Sequence, residues 1–261
     1  MSALRTTRML LRASVMTSMQ YRADFFFDLV YSAAELAWTL VPMLVVFGAR
    51  PTIAGWSLDE ALLVTAWFTF AKGVLEGIVT PSLVSTIEQI RRGTFDFVLL
   101  KPVDAQLYGT LGKLQLPSAV DLVAAVTIAL VALHRLHHHP TPTQLATAAL
   151  LTLCSLCILY ALNVLALCVA FFVARIDNLA YLLASVFDAA RWPSSVFRGG
   201  MRVFLTFVVP LGIMTTYPPL ALLGRLSTRA VLLAVGAAIV ALVGSRLAWV
   251  RSIAAYRSGG G

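Results

Sequence analysis

Hydrophobic residues along this chain gather into long runs, with the polar residues falling between them. The runs at 25–47, 57–79, 118–133, 142–173 and 230–249 are of spanning or near-spanning length, since a helix crosses the roughly 30 Å hydrocarbon core with about 20 apolar residues. A further span is expected over 179–187, shorter than the others and followed by Asp188, Arg191, Pro193, Arg198 and Arg202. The stretch 201–219 is apolar but broken by Pro210, Gly212, Pro218 and Pro219, so it reads as a re-entrant or interfacial hairpin. The pattern therefore predicts an all-α integral membrane protein of six transmembrane helices.

Local signals set the expected ends. In span one Pro42 marks a kink, and Arg50-Pro51 ends the helix. Ser57-x-x-Glu60 has the spacing of a capping box and opens span two, while Thr80-Pro81 is expected to close it. The longest charged connector comes next, over 82–117, with Glu88, Arg91, Arg92, Asp96, Lys101, Asp104 and Lys113. Within it 85–92 reads as a short charged helix, broken by Gly93; Asp96 can cap a second helical turn, which Pro102 ends. Arg5, Arg8 and Arg12 are spaced to share one helix face, which fits an interfacial helix against anionic headgroups better than a transit peptide. Residues 1–257 read as a single transmembrane domain, and 258–261 (Ser-Gly-Gly-Gly) as an appended tail.

Composition strengthens the membrane assignment. The 261 residues are 59% hydrophobic and only 12% charged, with a mean hydropathy of +0.86. Soluble domains carry about 25% charged residues. The net charge of +8 does not point to nucleic acid, because the basic residues are scattered singly rather than gathered in a stripe. They sort instead by side. With the N-terminus in the cytoplasm, twelve of the twenty lysines and arginines fall inside and seven outside, with Lys72 within span two, so both termini are expected to be cytoplasmic. The three cysteines, Cys154, Cys157 and Cys168, lie in one apolar run and imply no extracellular disulfide framework.

Little catalytic chemistry is encoded. The one Gly-Lys pair, Gly112-Lys113, has Leu107 where a phosphate loop needs its first glycine and Leu114 where it needs serine or threonine, so energy must come from a partner or an ion gradient. His134, His137, His138 and His139 lie in a loop with little to order a metal shell, so no metal is assigned. No Ser, His and Asp set forms a hydrolytic constellation. The informative residues are ionisable ones inside spans, each costing about 2.5 to 3.5 kcal/mol at a helix centre. Lys72 and Glu76, four apart, can neutralise one another; Asp28 and Glu35, seven apart on one face of span one, need a basic partner elsewhere or a wet, cation-accepting cavity. Asp28, Glu35, Lys72 and Glu76 are thus the candidate substrate-cavity residues.

The run Ile90-Arg91-Arg92-Gly93-Thr94-Phe95-Asp96-Phe97-Val98-Leu99-Leu100-Lys101-Pro102 resembles the signature loop of type-2 ATP-binding-cassette exporter permeases of the viologen-exporter-like subgroup. Supporting matches are Tyr21-Arg22-Ala23-Asp24-Phe25, Gly55-Trp56-Ser57-Leu58-Asp59-Glu60, and Tyr217-Pro218-Pro219 before Leu223-Gly224; Asp24 stands where the family often has asparagine. The resemblance implies six spans, an N-terminal elbow helix, a cytoplasmic coupling helix between spans two and three, and re-entrant helices before span six. It also implies a dimer with a second, commonly unlike, permease chain, bound to two ATPase subunits that hold ATP and Mg. Glu88, Arg91, Arg92, Asp96 and Lys101 would then face the ATPase in a bacterial inner membrane. The alternatives are a proton-coupled carrier using Asp28, Glu35 and Glu76, disfavoured because only one segment is broken, and a membrane-embedded enzyme or structural subunit, for which no convergent catalytic set is visible.

Overall fold

In the computed structural model the described residues are 22–100, 104–111, 115, 118–171, 185, 187–193, 196, 199 and 210–255. Among the described residues helix dominates, in nine α-helices: α1 (Arg22–Ala49), α2 (Leu58–Val74), α3 (Thr80–Arg91), α4 (Asp96–Leu99), α5 (Ala105–Leu111), α6 (Ala119–Arg135), α7 (Pro142–Ala170), α8 (Tyr217–Leu222) and α9 (Thr228–Ala255). Two π-turns, Leu75–Val79 and Gly212–Thr216, precede α3 and α8. Between α1 and α2 the described residues depart from helix: β1 (Thr52–Ile53) pairs antiparallel with β2 (Trp56–Ser57). Ala54 and Gly55 between them both take positive φ, 50° and 84°, which matches the twist of a two-residue hairpin.

Among the described residues, four stretches are long and apolar enough to cross a membrane: Val30–Ala49, Leu58–Arg91, Pro142–Val169 and Thr228–Ala255. Helix α6, at 17 residues, occupies the place expected for span three and is about 26 Å long. The expected elbow helix, most of span five, residues 201–209 of the hairpin and the tail at 258–261 lie outside the described residues.

The capping box at Ser57 is present in both directions: Ser57 Oγ accepts from the Glu60 amide at 3.3 Å and Glu60 Oε2 accepts from the Ser57 amide at 3.0 Å. Thr141 and Gln144 cap α7 in the same way, with Pro142 in the first helical turn. Helix α1 runs through Pro42 without a break in its assignment.

Thr80-Pro81 does not close span two, contrary to expectation. The helix widens into the π-turn and continues to Arg91. Thr80 N–H reaches back to Leu75 O, and Pro81 enters α3 in its first turn. Proline lacks the N–H that Gly77 O would receive in an α-helix, and the Gln115 amide fills that place at 2.7 Å. A second π-turn stands ahead of Pro218, and there Ser155 Oγ on α7 donates to Ile213 O at 3.1 Å. Residues 211–222 are continuous helix, with Pro218 and Pro219 in the first turn of α8.

Helix α2 lies against α6, and α7 against α9 and α8. Gly73 and Gly77 form a Gly-x-x-x-Gly pair: a Cβ on Gly73 would meet Asp121 Cβ at 3.0 Å, and one on Gly77 would meet Ser118 Oγ at 3.0 Å. Such close approach drives association where lipid and side chain are equally apolar. Phe68, Leu75, Ile158, Met214 and Ala238 join α2, α7, α9 and the two π-turns in a central core. At one end Phe95, Phe171 and Trp249 pack edge to face with centroids 5.6 to 6.2 Å apart. At the other, Asp59 pairs with Arg135 at 3.1 Å and Glu60 with Arg225 at 2.5 Å. The outward faces of α1 and α9 remain apolar and uncovered, with Trp38 and Val240 both 72% exposed.

Candidate functional site

The continuous helix from Leu58 to Arg91 carries two charged features, one partway along it and one at its tip. At the first, Lys72 Nζ contacts the Glu35 carboxylate on α1 directly and lies 3.7 Å from Glu76 one turn further along its own helix. The Lys72 side chain is 11% exposed, against 29% for Glu35 and 42% for Glu76. Asp121, buried in the first turn of α6, is close enough for its charge to act on the same lysine. One ammonium thus contacts two carboxylates, with a third nearby on α6. The expected self-neutralising Lys72–Glu76 pair is only half the arrangement: Lys72 is also the basic partner that Glu35 required. Asp28 belongs to α1, but its side chain lies outside the described residues.

The second feature is the end of α3. Glu88 pairs with Arg92 at 2.5 Å and more loosely with Arg91 at 3.8 Å, all three substantially exposed. Gly93, with φ of 68°, stops the helix in a Schellman motif: its amide donates to Ile90 O at 3.1 Å and the Thr94 amide to Gln89 O at 2.9 Å. Asp96 does not cap α4, as expected from sequence, but occupies its first helical position, because Phe95, buried beside Trp249, takes the capping place. Its negative charge still suits a helix N-terminus. An open cleft of about 620 Å³ runs along the tip, lined by Pro81, Val84, Ser85, Glu88, Gln89 and Arg92 among others. Lys101 lies outside the described residues.

A family model described as ABC-2 family transporter protein matches residues 33–260, which take in both features. The chain belongs to the ABC-2 transporter family. No curated protein and no solved structure matches it. As an ABC-2 permease it is a multi-pass membrane subunit of a transporter, and its family implies association with ATP-binding-cassette ATPase subunits.

Elsewhere in the permease, the histidines act as a helix stop. His137 takes φ of 48°, its amide donates to His134 O at 3.1 Å, and the His138 amide donates to Leu133 O at 3.2 Å. His138 Nε2 bonds Leu222 O at 2.9 Å, docking α8. Among the described residues no three His, Cys, Asp or Glu side chains form a metal-binding group. Cys154 and Cys168 are buried as free thiols. Asn163 donates to Leu159 O at 2.8 Å within its own helix, and Asp188 pairs with Arg191 at 3.4 Å. Sequence reasoning missed the Gly73/Gly77 contact, which its spacing signals, and the role of Asp121, which only the packing of α6 reveals.

Proposed function

We propose that this permease exports a hydrophobic cation from a bacterial cytoplasm across the inner membrane, driven by two ATPase subunits that bind ATP and Mg on the cytoplasmic face. A second, unlike permease chain completes the assembly, as in the viologen-exporter-like subgroup, and both termini of this chain are cytoplasmic. The observation that carries the reading is the continuity of α2 into α3. Glu76 and Glu88 lie on one helical body roughly 18 Å apart at 1.5 Å per residue. Displacement of the tip by closing ATPases therefore reaches the Glu35–Lys72–Glu76 cluster along one helical path, through the π-turn at Leu75–Val79.

Glu88, Arg91 and Arg92 supply the ATPase-facing surface, together with Asp96 at the start of α4. Exposed ion pairs such as Glu88–Arg92 contribute about 0 to 1 kcal/mol, so exchanging them for ATPase partners costs little. The carboxylates of Glu35, Glu76 and Asp121 outnumber Lys72, and a cationic substrate compensates the excess. Proton carriage by Glu35 and Glu76 is less suited, because Lys72 already engages both.

The test is purification of the permease from cells that also express its ATPase. We expect a stable complex whose ATP hydrolysis is stimulated by tetraphenylphosphonium. Arg92→Glu combined with Glu88→Arg should weaken ATPase association while the permease itself stays folded. Recovery of the chain without any ATPase would sink the reading.

A further inference from the structure

The connector beyond the tip is fastened to the other side of the bundle. Asp104 Oδ1 caps α5, accepting from the Gln106 amide at 2.9 Å and the Leu107 amide at 3.2 Å. The same carboxylate faces α9: Oδ2 lies 2.8 Å from Arg246 Nη2, and Oδ1 accepts from Nη1 at 3.2 Å. Arg246 Nη1 also donates to Gln106 Oε1 at 2.8 Å, and Gln106 Nε2 donates to the Tyr160 hydroxyl of α7 at 3.1 Å. Gln106 is buried, so these bonds satisfy an amide that would otherwise be costly to enclose.

One turn further along, α5 meets α3. Thr86 Oγ1 donates to Gly109 O at 2.8 Å, and a Cβ at Gly109 would sit 3.3 Å from Thr86 Cγ2. The tip helix is thus joined to α7 and α9 by a continuous chain of polar contacts, and Arg246 is the member that α9 contributes. Burial pulls the Asp104 carboxyl upward, but the Arg246 hydrogen bond, the backbone amides and the guanidinium charge outweigh it and hold the group below its usual 3.8. The pair stays charged near neutral pH.

We infer that Arg246 is a positioning residue of the transport cycle: it ties α5, and through α5 the tip of α3, to α9, so that moving the tip moves the α7–α9 pair as well as α2. The inference rests on the reading of α3 as the ATPase-facing element. A guanidinium bonds carboxylate and amide together in a fixed fork, whereas a lysine at this position keeps the charge and only part of the geometry.

The experiment uses the permease with its ATPase subunits in lipid nanodiscs, with Cys154, Cys157 and Cys168 replaced by serine. Nitroxides at V45C on α1 and V240C on α9, both well exposed, report the distance between these helices by pulsed EPR. The measurement is made without nucleotide and after trapping with ATP and orthovanadate. Trapping should shift the distance in the otherwise unaltered chain. Arg246→Gln and Asp104→Asn should each lose most of that shift while ATP hydrolysis continues, and Arg246→Lys should restore part of it. A merely structural role would lower thermal stability without a nucleotide-dependent effect. A full shift in both clamp variants, or none in the unaltered chain, overturns the inference. Cross-linking V84C to the ATPase separates the two readings: a cross-link with an intact shift in the variants removes the clamp alone, whereas no cross-link removes the ATPase-facing reading and the clamp with it.

Discussion

Lys72 shows how far one side chain's role can be read from its neighbours in sequence. The four-residue spacing to Glu76 is visible along α2, but the direct contact with Glu35 depends on where α1 packs, and no local pattern encodes that. The same limit hides Asp121, whose α6 packs closely on Gly73 and Gly77 and so brings its charge near the cluster. Removing the lysine leaves carboxylates facing a low-dielectric surrounding without their cation. Breaking a buried pair costs about 3 to 5 kcal/mol, and the partial exposure of Glu35 and Glu76 reduces this to roughly 1 to 3. Lys72→Met should therefore lower the thermal midpoint of the permease in nanodiscs, and adding Glu35→Gln should recover part of the loss. Additive effects of the two substitutions would show that the residues do not interact.

Among the elements, those with local stop and start signals are legible in the sequence and those held by distant partners are not. Ser57-x-x-Glu60 and Gly93 mark helix ends that the structure reproduces, because a cap is made by residues three or four apart. Thr80-Pro81 looks like an end because the residue before a proline avoids helical dihedrals. Here the π-turn and the Gln115 amide supply what proline removes, and Gln115 belongs to a connector that no nearby residue predicts. Pro81→Ala would return an N–H to the helix, in competition with Gln115 for Gly77 O. The Gln115 amide should then exchange its hydrogen at least about tenfold faster, the ratio that corresponds to a net hydrogen bond of about 1.4 kcal/mol. Unchanged exchange would mean that the tether does not depend on the proline.

At the scale of the whole molecule, the two ends of the bundle are distinguished by what holds them. One end is tied by Asp59–Arg135 and Glu60–Arg225, the other by Arg246–Asp104 and the aromatic contacts of Trp249. The positive-inside bias counts lysines and arginines whether or not acids neutralise them, so pairing at the Arg135 end does not remove those arginines from the count. It does give them fixed places in the fold. Export driven by cytoplasmic ATPases requires the α3 tip, and with it α5, to face the cytoplasm. In a cysteine-free background, a membrane-impermeant maleimide should label H139C in intact spheroplasts and L107C only after lysis, both positions being exposed at opposite ends of the bundle. The reverse pattern would place the Glu88–Arg92 tip outside the cell, beyond reach of any ATP-bound partner, and the family's means of coupling would have no element here to act on.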